Sequence, residues 1–145
     1  MKIKLPDWQT LPNIALYNDQ VMEYVDQIFQ PLMLEEHFNI TRAMINNYLK
    51  VSLVPTYDKK KFNREQLALI IMITFFKPAF TLQEMKQIIE KVPYESVESL
   101  YQQFIIANKK NNEDTHPLMF CAVQAVQYKV EILQAINTEQ ESEDE

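Results

Sequence analysis

The stretch TRAMINNYLKVSLVPTYDKKKFNREQLALIIMITFFK, residues 41–77, decides how this chain is read. Thr41 belongs to the residue types that cap helix N-termini, because its side-chain oxygen accepts from a backbone N–H of the first turn. A short helix is expected over 42–51. At about 100° per residue, Met44, Ile45, Tyr48 and Leu49 share one half of the helical wheel. Arg42, Ala43, Asn46, Asn47 and Lys50 share the other. That outer half carries two amides and two cations and no carboxylate. Pro55 blocks continuation of the helix. Val54, Tyr57 and Phe62 give 52–62 the character of a short hairpin or extended loop, with Lys59, Lys60 and Lys61 near its tip. Asn63 and Gln66 have capping-box spacing. The helix they open is apolar nearly all round (Leu67, Leu69, Ile70, Ile71, Met72, Ile73, Phe75, Phe76), which predicts a buried centre.

Helical patterns continue on both sides of this stretch. Residues 5–16 form a proline-punctuated arm, with Trp8, Ile14 and Leu16 available to pack. A helix is expected from Asn18–Asp19, where Val21, Tyr24, Val25, Ile28, Phe29 and Leu32 follow the i, i+3, i+4, i+7 rule. Pro31 makes its end irregular, and 34–40 reads as a link. Thr81 and Glu84 form a second capping box, opening a helix that Pro93 ends. Beyond it the pattern predicts an antiparallel pair: a helix over 95–107, a polar loop over 108–115, and a final helix from Pro117 to about Ile136. The last helix has one apolar stripe of Met119, Ala122, Val123, Val126, Val130 and Leu133. Leu118, Cys121, Ala125, Ile132 and Ile136 form a second. Two stripes call for two neighbours, one of which a partner subunit can supply. The expected organisation is a head over 1–93, a helical hairpin over 94–137 for dimerisation or effector binding, and an acidic disordered tail over 138–145.

Composition narrows the classes further. The chain of 145 residues is 47% hydrophobic and contains no glycine. Without glycine, positive backbone φ is costly, which argues against tight hairpins, a dinucleotide-binding loop or a P-loop. An all-α fold is favoured. A lone Cys121 cannot form an internal disulfide, and on its apolar stripe it reads as a core residue. Residues 1–7 have no apolar segment of signal-peptide length, and the run from Leu67 to Phe76 is too short to span a bilayer. A cytoplasmic protein is expected. His37, His116 and Cys121 lack ligand-like spacing, so no metal or other cofactor is expected. Neither histidine has a nucleophile beside it, and no enzyme active site is expected.

Charge is distributed unevenly. Residues 40–64 hold Arg42, Lys50, Lys59, Lys60, Lys61 and Arg64 against Asp58 alone, a net +5 within a chain of net −6. The rest therefore carries −11. A local basic patch on an acidic protein is the electrostatic footprint of a compact DNA reader. Arginine can pair bidentately with guanine and asparagine with adenine in the major groove. Thr41, Arg42, Asn46, Asn47 and Lys50 are the candidate recognition-helix contacts. Tyr57, Lys59, Lys60, Lys61 and Arg64 are the candidate wing contacts to the flanking backbone. The competing reading is a protein-interaction or ligand-sensing helical module, with a groove built from 95–136 and no DNA binding.

At these residues the sequence resembles the MerR-type winged helix-turn-helix: TRAMINNYLKVSLVP (41–55), the wing TYDKKKFN (56–63), the buried REQLALIIMITFFK (64–77), then FTLQEMKQIIE (80–90). LPDWQTLPNIALYNDQV, TRAMINNYLK and KKKFNREQLALIIMI are similar to a Gram-positive bacterial family known as domain of unknown function eighteen-thirty-six. The resemblance implies a MerR-like DNA-binding head acting on double-stranded DNA in transcriptional regulation; the doubly apolar final helix adds the expectation of a homodimer through the C-terminal helices. Two departures stand out. Lys60 or Lys61 takes the place of the wing arginine, and Asn46 and Asn47 stand where many MerR proteins have Arg-Tyr.

Overall fold

The computed structural model describes residues 3–57 and 60–144, the side chains of 139–144 excepted. An N-terminal arm with a 3-10 turn at Trp8–Thr10 leads into strand β1 (Leu16–Tyr17) and helix α1 (Asn18–Phe29). Helices α2 (Glu35–Phe38) and α3 (Arg42–Lys50), strand β2 (Lys61–Phe62) and helices α4 (Arg64–Phe76), α5 (Leu82–Lys91), α6 (Val97–Asn108) and α7 (Pro117–Asp144) follow. Helix starts fall where the capping residues put them. Thr41 Oγ1 accepts from Met44 N at 3.1 Å. Asn63 and Gln66 satisfy each other's backbone N–H groups at 2.9 and 2.8 Å, and Thr81 and Glu84 do the same at 3.1 and 2.9 Å.

Helix α4 is the centre, as its all-round apolarity predicts. Every residue from Gln66 to Phe76 is buried. Helix α6 packs along it through a ring cluster in which Phe104 lies 5.0 Å from Phe75, 5.8 Å from Phe76 and 5.7 Å from Tyr101. Trp8 of the arm packs 6.1 Å from Tyr101, whose hydroxyl donates to Pro6 O at 2.6 Å. Burial raises the Tyr101 hydroxyl above its ordinary pKa, so it stays a donor. One apolar cluster runs from Leu11 to Val130. Buried residues of the arm, of α1 to α5 and of α6 and α7 belong to this one cluster.

Four expectations need correction. The fold is mostly helical but not all-α, since β1 and β2 form an antiparallel two-stranded sheet with Leu16 opposite Phe62 and Tyr17 opposite Lys61. The wing, expected as a short hairpin or extended loop, shows no strand pairing within 52–62 among the described residues. Its strand pairs with the segment before α1, and Gln66 Nε2 ties the connection to α4 by donating to Pro55 O at 2.7 Å. Second, the link 34–40 contains the one-turn helix α2, closed by Asn39 N donating to Glu35 O.

Third, α6 and α7 are not an antiparallel hairpin. Their contacts advance in the same direction along both helices. His116 N donates to Gln103 Oε1, Gln124 Nε2 to Ala107 O, and Gln127 Nε2 to Asn108 O. The loop folds back along α6, where Thr115 Oγ1 donates to Gln103 O, so α7 starts beside the middle of α6. Farther on, Gln134 Nε2 reaches Leu32 O, beyond the end of α1. Fourth, the stretch 138–145 read as a disordered tail continues α7 as far as Asp144. No proline or glycine stops the helix there, and Glu and Gln are good helix formers.

The missing glycines leave a mark. Met33, Ser52 and Lys110 have positive φ of 56°, 62° and 59°. Ser52 and Lys110 close α3 and α6 in the Schellman pattern. Leu53 N donates to Tyr48 O and Ser52 N to Leu49 O; Asn111 N donates to Ile106 O and Lys110 N to Ala107 O. A left-handed conformation costs a side-chain-bearing residue about 1–2 kcal/mol, partly offset by the greater freedom glycine has in the unfolded chain. Lys110→Gly is therefore expected to stabilise the protein by about 0.5–1 kcal/mol. A urea titration reads this as a raised midpoint; a lowered one would contradict the backbone assigned to Lys110.

Candidate functional site

Helix α3 divides as its sequence predicts. Ile45 and Tyr48 are buried, Met44 and Leu49 half-buried, and Thr41, Arg42, Ala43, Asn46, Asn47 and Lys50 exposed. The apolar side anchors the helix against α1, where Val21, Val25 and Phe29 face inward. Among the described residues, the side chains of Asn46, Asn47 and Lys50 take no part in a hydrogen bond or ion pair. Thr41 Oγ1 is engaged as the helix cap. Arg42 reaches across to α1, its Nη2 donating to Asp19 Oδ1 at 2.8 Å. Asp19 is therefore part of this surface.

The cations of the following stretch separate into distinct environments. The Lys61 ammonium lies 5.3 Å from the centre of the Tyr17 ring, directly across the β1–β2 pairing. Lys60 and Tyr57 are exposed. Lys59 lies outside the described residues. Arg64 stands apart from these lysines in its surroundings. It opens α4, its guanidinium stacks 5.5 Å from the centre of the Trp8 ring, and its buried Nε has no hydrogen-bond partner among the described residues. Trp8 thus packs against both α6 and the start of α4, a long-range arrangement that helical periodicity cannot reveal.

Two further lysines border α3 without having been singled out by the sequence. Lys86 of α5 donates to Val51 O at 3.4 Å, placing a cation at the C-terminal end of α3. Lys77, after α4, donates to the backbone carbonyl of Asn39 and to Asn39 Oδ1 at 3.2 Å, with Met44 Sδ 3.8 Å away. Burial pulls its ammonium below the ordinary lysine pKa. Lys77 clamps the chain where it enters α3. Both contacts span more than thirty residues, so local spacing holds no signal for them.

The remaining candidates have structural surroundings. His116 caps α7, its Nδ1 accepting from Leu118 N at 3.1 Å. His37 is half-buried in α2. Cys121 is exposed rather than in the core; it borders a groove of about 360 Å³ between α5 and α7, lined also by Phe80, Ile88, Leu118 and Ala122. Among the described residues no cluster of His, Cys, Asp and Glu could hold a metal ion, and no helix is long and apolar enough to cross a membrane.

Fold and surface define a small, mostly helical protein in which an amide- and cation-bearing helix and a two-stranded sheet both pack on α1. Comparison with protein families places it further. The chain belongs to the family described as Domain of unknown function (DUF1836), which matches residues 6–104. That span begins at Pro6, whose carbonyl receives the Tyr101 hydroxyl, and ends at Phe104 in α6. Comparison with curated proteins and with solved structures gives no significant match.

Proposed function

We propose that this protein is a sequence-specific double-stranded DNA-binding transcriptional regulator of the MerR-like winged-helix type, acting in the cytoplasm and not as an enzyme. The observation that carries the reading is the outer face of α3. Asn46, Asn47 and Lys50 are exposed on a helix whose other side is firmly seated, and Asn46 and Asn47 lie one turn beyond Arg42. Such a helix fits the width of the major groove, where amides suit adenine and a guanidinium suits guanine. Lys60 and Lys61 at one end and Lys86 at the other flank it with cations for phosphate contacts. The negative remainder of the chain keeps such contacts on this face.

The same reading includes a homodimer through α7. The inward stripe of Met119, Ala122, Val123, Val126 and Val130 is buried, while Cys121, Ala125, Tyr128, Ile132 and Ile136 are exposed. Steps of three and four residues along that second line make a seam for another helix, and a second copy of this chain supplies an identical one.

Selection of bound duplexes from a random-sequence pool tests both parts. The expected product is a pair of inverted half-sites about 34 Å apart, bound by a species of dimer mass. Asn47→Ala is expected to lower discrimination at one position about tenfold while leaving the salt dependence of binding unchanged. No enrichment over random DNA at moderate salt would sink the proposal. A single half-site bound by a monomer would remove the dimer.

A further inference from the structure

The residues that hold the cations of this surface are themselves informative. Tyr17 and Asp19 lie two positions apart where β1 runs into α1. The first sits under the Lys61 ammonium, and the second accepts from Arg42 Nη2. One short segment therefore holds a cation from each half of the surface, one on the strand and one on the first turn of α3. Resting on the DNA-binding reading above, we infer that Tyr17 and Asp19 are positioning residues: Asp19 aims the Arg42 guanidinium at a guanine, and Tyr17 sets Lys61 at a fixed distance from it, on the adjoining phosphate.

Three features support this. Asp19 occupies the first turn of α1, where the helix dipole favours a carboxylate independently of Arg42. The Arg42–Asp19 pair is widely exposed, 62% and 78% for the two side chains, and a pair that open to water contributes little to folding. It also has a chemical use. With one Nη bonded to Asp19, the guanidinium plane is oriented and its other N–H groups remain for the fork that guanine O6 and N7 accept. A carboxylate on a phosphate-facing surface would otherwise only repel DNA. The β1–β2 pairing places Tyr17 opposite Lys61, so the ring and the cation it carries share one rigid register.

The test uses the full chain, the duplex recovered by selection, the same duplex with single guanines replaced, and a random-sequence duplex. Asp19→Ala is expected to move two readouts in opposite directions. Discrimination against the replaced guanine falls about tenfold, while affinity for the random duplex stays level or rises as an anion leaves the surface. Asp19→Asn, which keeps an acceptor for Arg42, loses less discrimination. Tyr17→Leu weakens binding to all duplexes equally, and Tyr17→Phe, which keeps the ring, leaves it unchanged. A thermal melt within a few degrees of the unaltered protein confirms that the Asp19 variants fold. If Asp19→Ala raises affinity for every duplex with discrimination intact, Asp19 is only a competing anion and the inference is overturned. If the unaltered protein prefers no duplex, the DNA-binding reading falls first and the inference with it.

Discussion

Phe104→Ala is expected to destabilise the entire protein by about 3–5 kcal/mol, the range for emptying a buried aromatic position. Phe104 is fully buried and contacts three aromatic rings, Phe75 and Phe76 of α4 and Tyr101 of α6. Removing it leaves those rings facing a cavity that α4 cannot fill, because α4 is held from several sides. A chain of this size has about 5–15 kcal/mol of stability to lose, so the melting temperature should fall by roughly 10–16 °C. The form of the transition is as informative as its position. The arm, α4, α6 and α7 share one apolar cluster, so far-UV and near-UV signals should lose structure together, in one step. If α6 and α7 were a separate hairpin, the substitution would melt only part of the helical signal and leave α1 to α5 folded.

That shared core marks where the sequence stops being legible. Starts and stops of α3, α4 and α5 could be read from Thr41, Asn63, Thr81 and the prolines because caps and breakers act within a few residues. The exposed and buried halves of α3 followed from periodicity for the same reason. The rest depends on contacts far apart in the chain. Nothing near Tyr101 indicates that its hydroxyl meets Pro6, and nothing near Lys61 indicates that its strand pairs with Leu16–Tyr17 rather than with a neighbouring hairpin arm. Arg64 shows the cost of counting charge by sequence position alone. It lies next to the lysines in the chain but stacks on Trp8, whereas Lys86 lies outside the basic stretch yet reaches the end of α3. For α7, the two apolar stripes were readable, but the direction in which it crosses α6 is set by Gln103 holding Thr115 and His116 in place.

Replacing Lys59, Lys60 and Lys61 together by alanine is expected to weaken DNA binding on the order of a hundredfold at 0.1 M salt, provided each lysine neutralises a phosphate. Each such contact releases counterions, so losing three should reduce the slope of log affinity against log salt by about 0.9 per contact. The fold should tolerate the change. Losing the contact between Lys61 and the Tyr17 ring costs about 0.5–1 kcal/mol at an open site. The decisive comparison is between duplexes. Phosphate contacts carry no sequence information, so affinity for the selected and the random duplex should fall by the same factor. This is the reverse of the pattern expected for Asn47→Ala and Asp19→Ala, which alter preference and spare the salt dependence. An unchanged slope in the triple variant would mean that the basic stretch does not face the DNA. Lys50 and Lys86 would then be the cations left beside α3 to meet phosphate, and the strand would serve only to brace α1 through its pairing with β1.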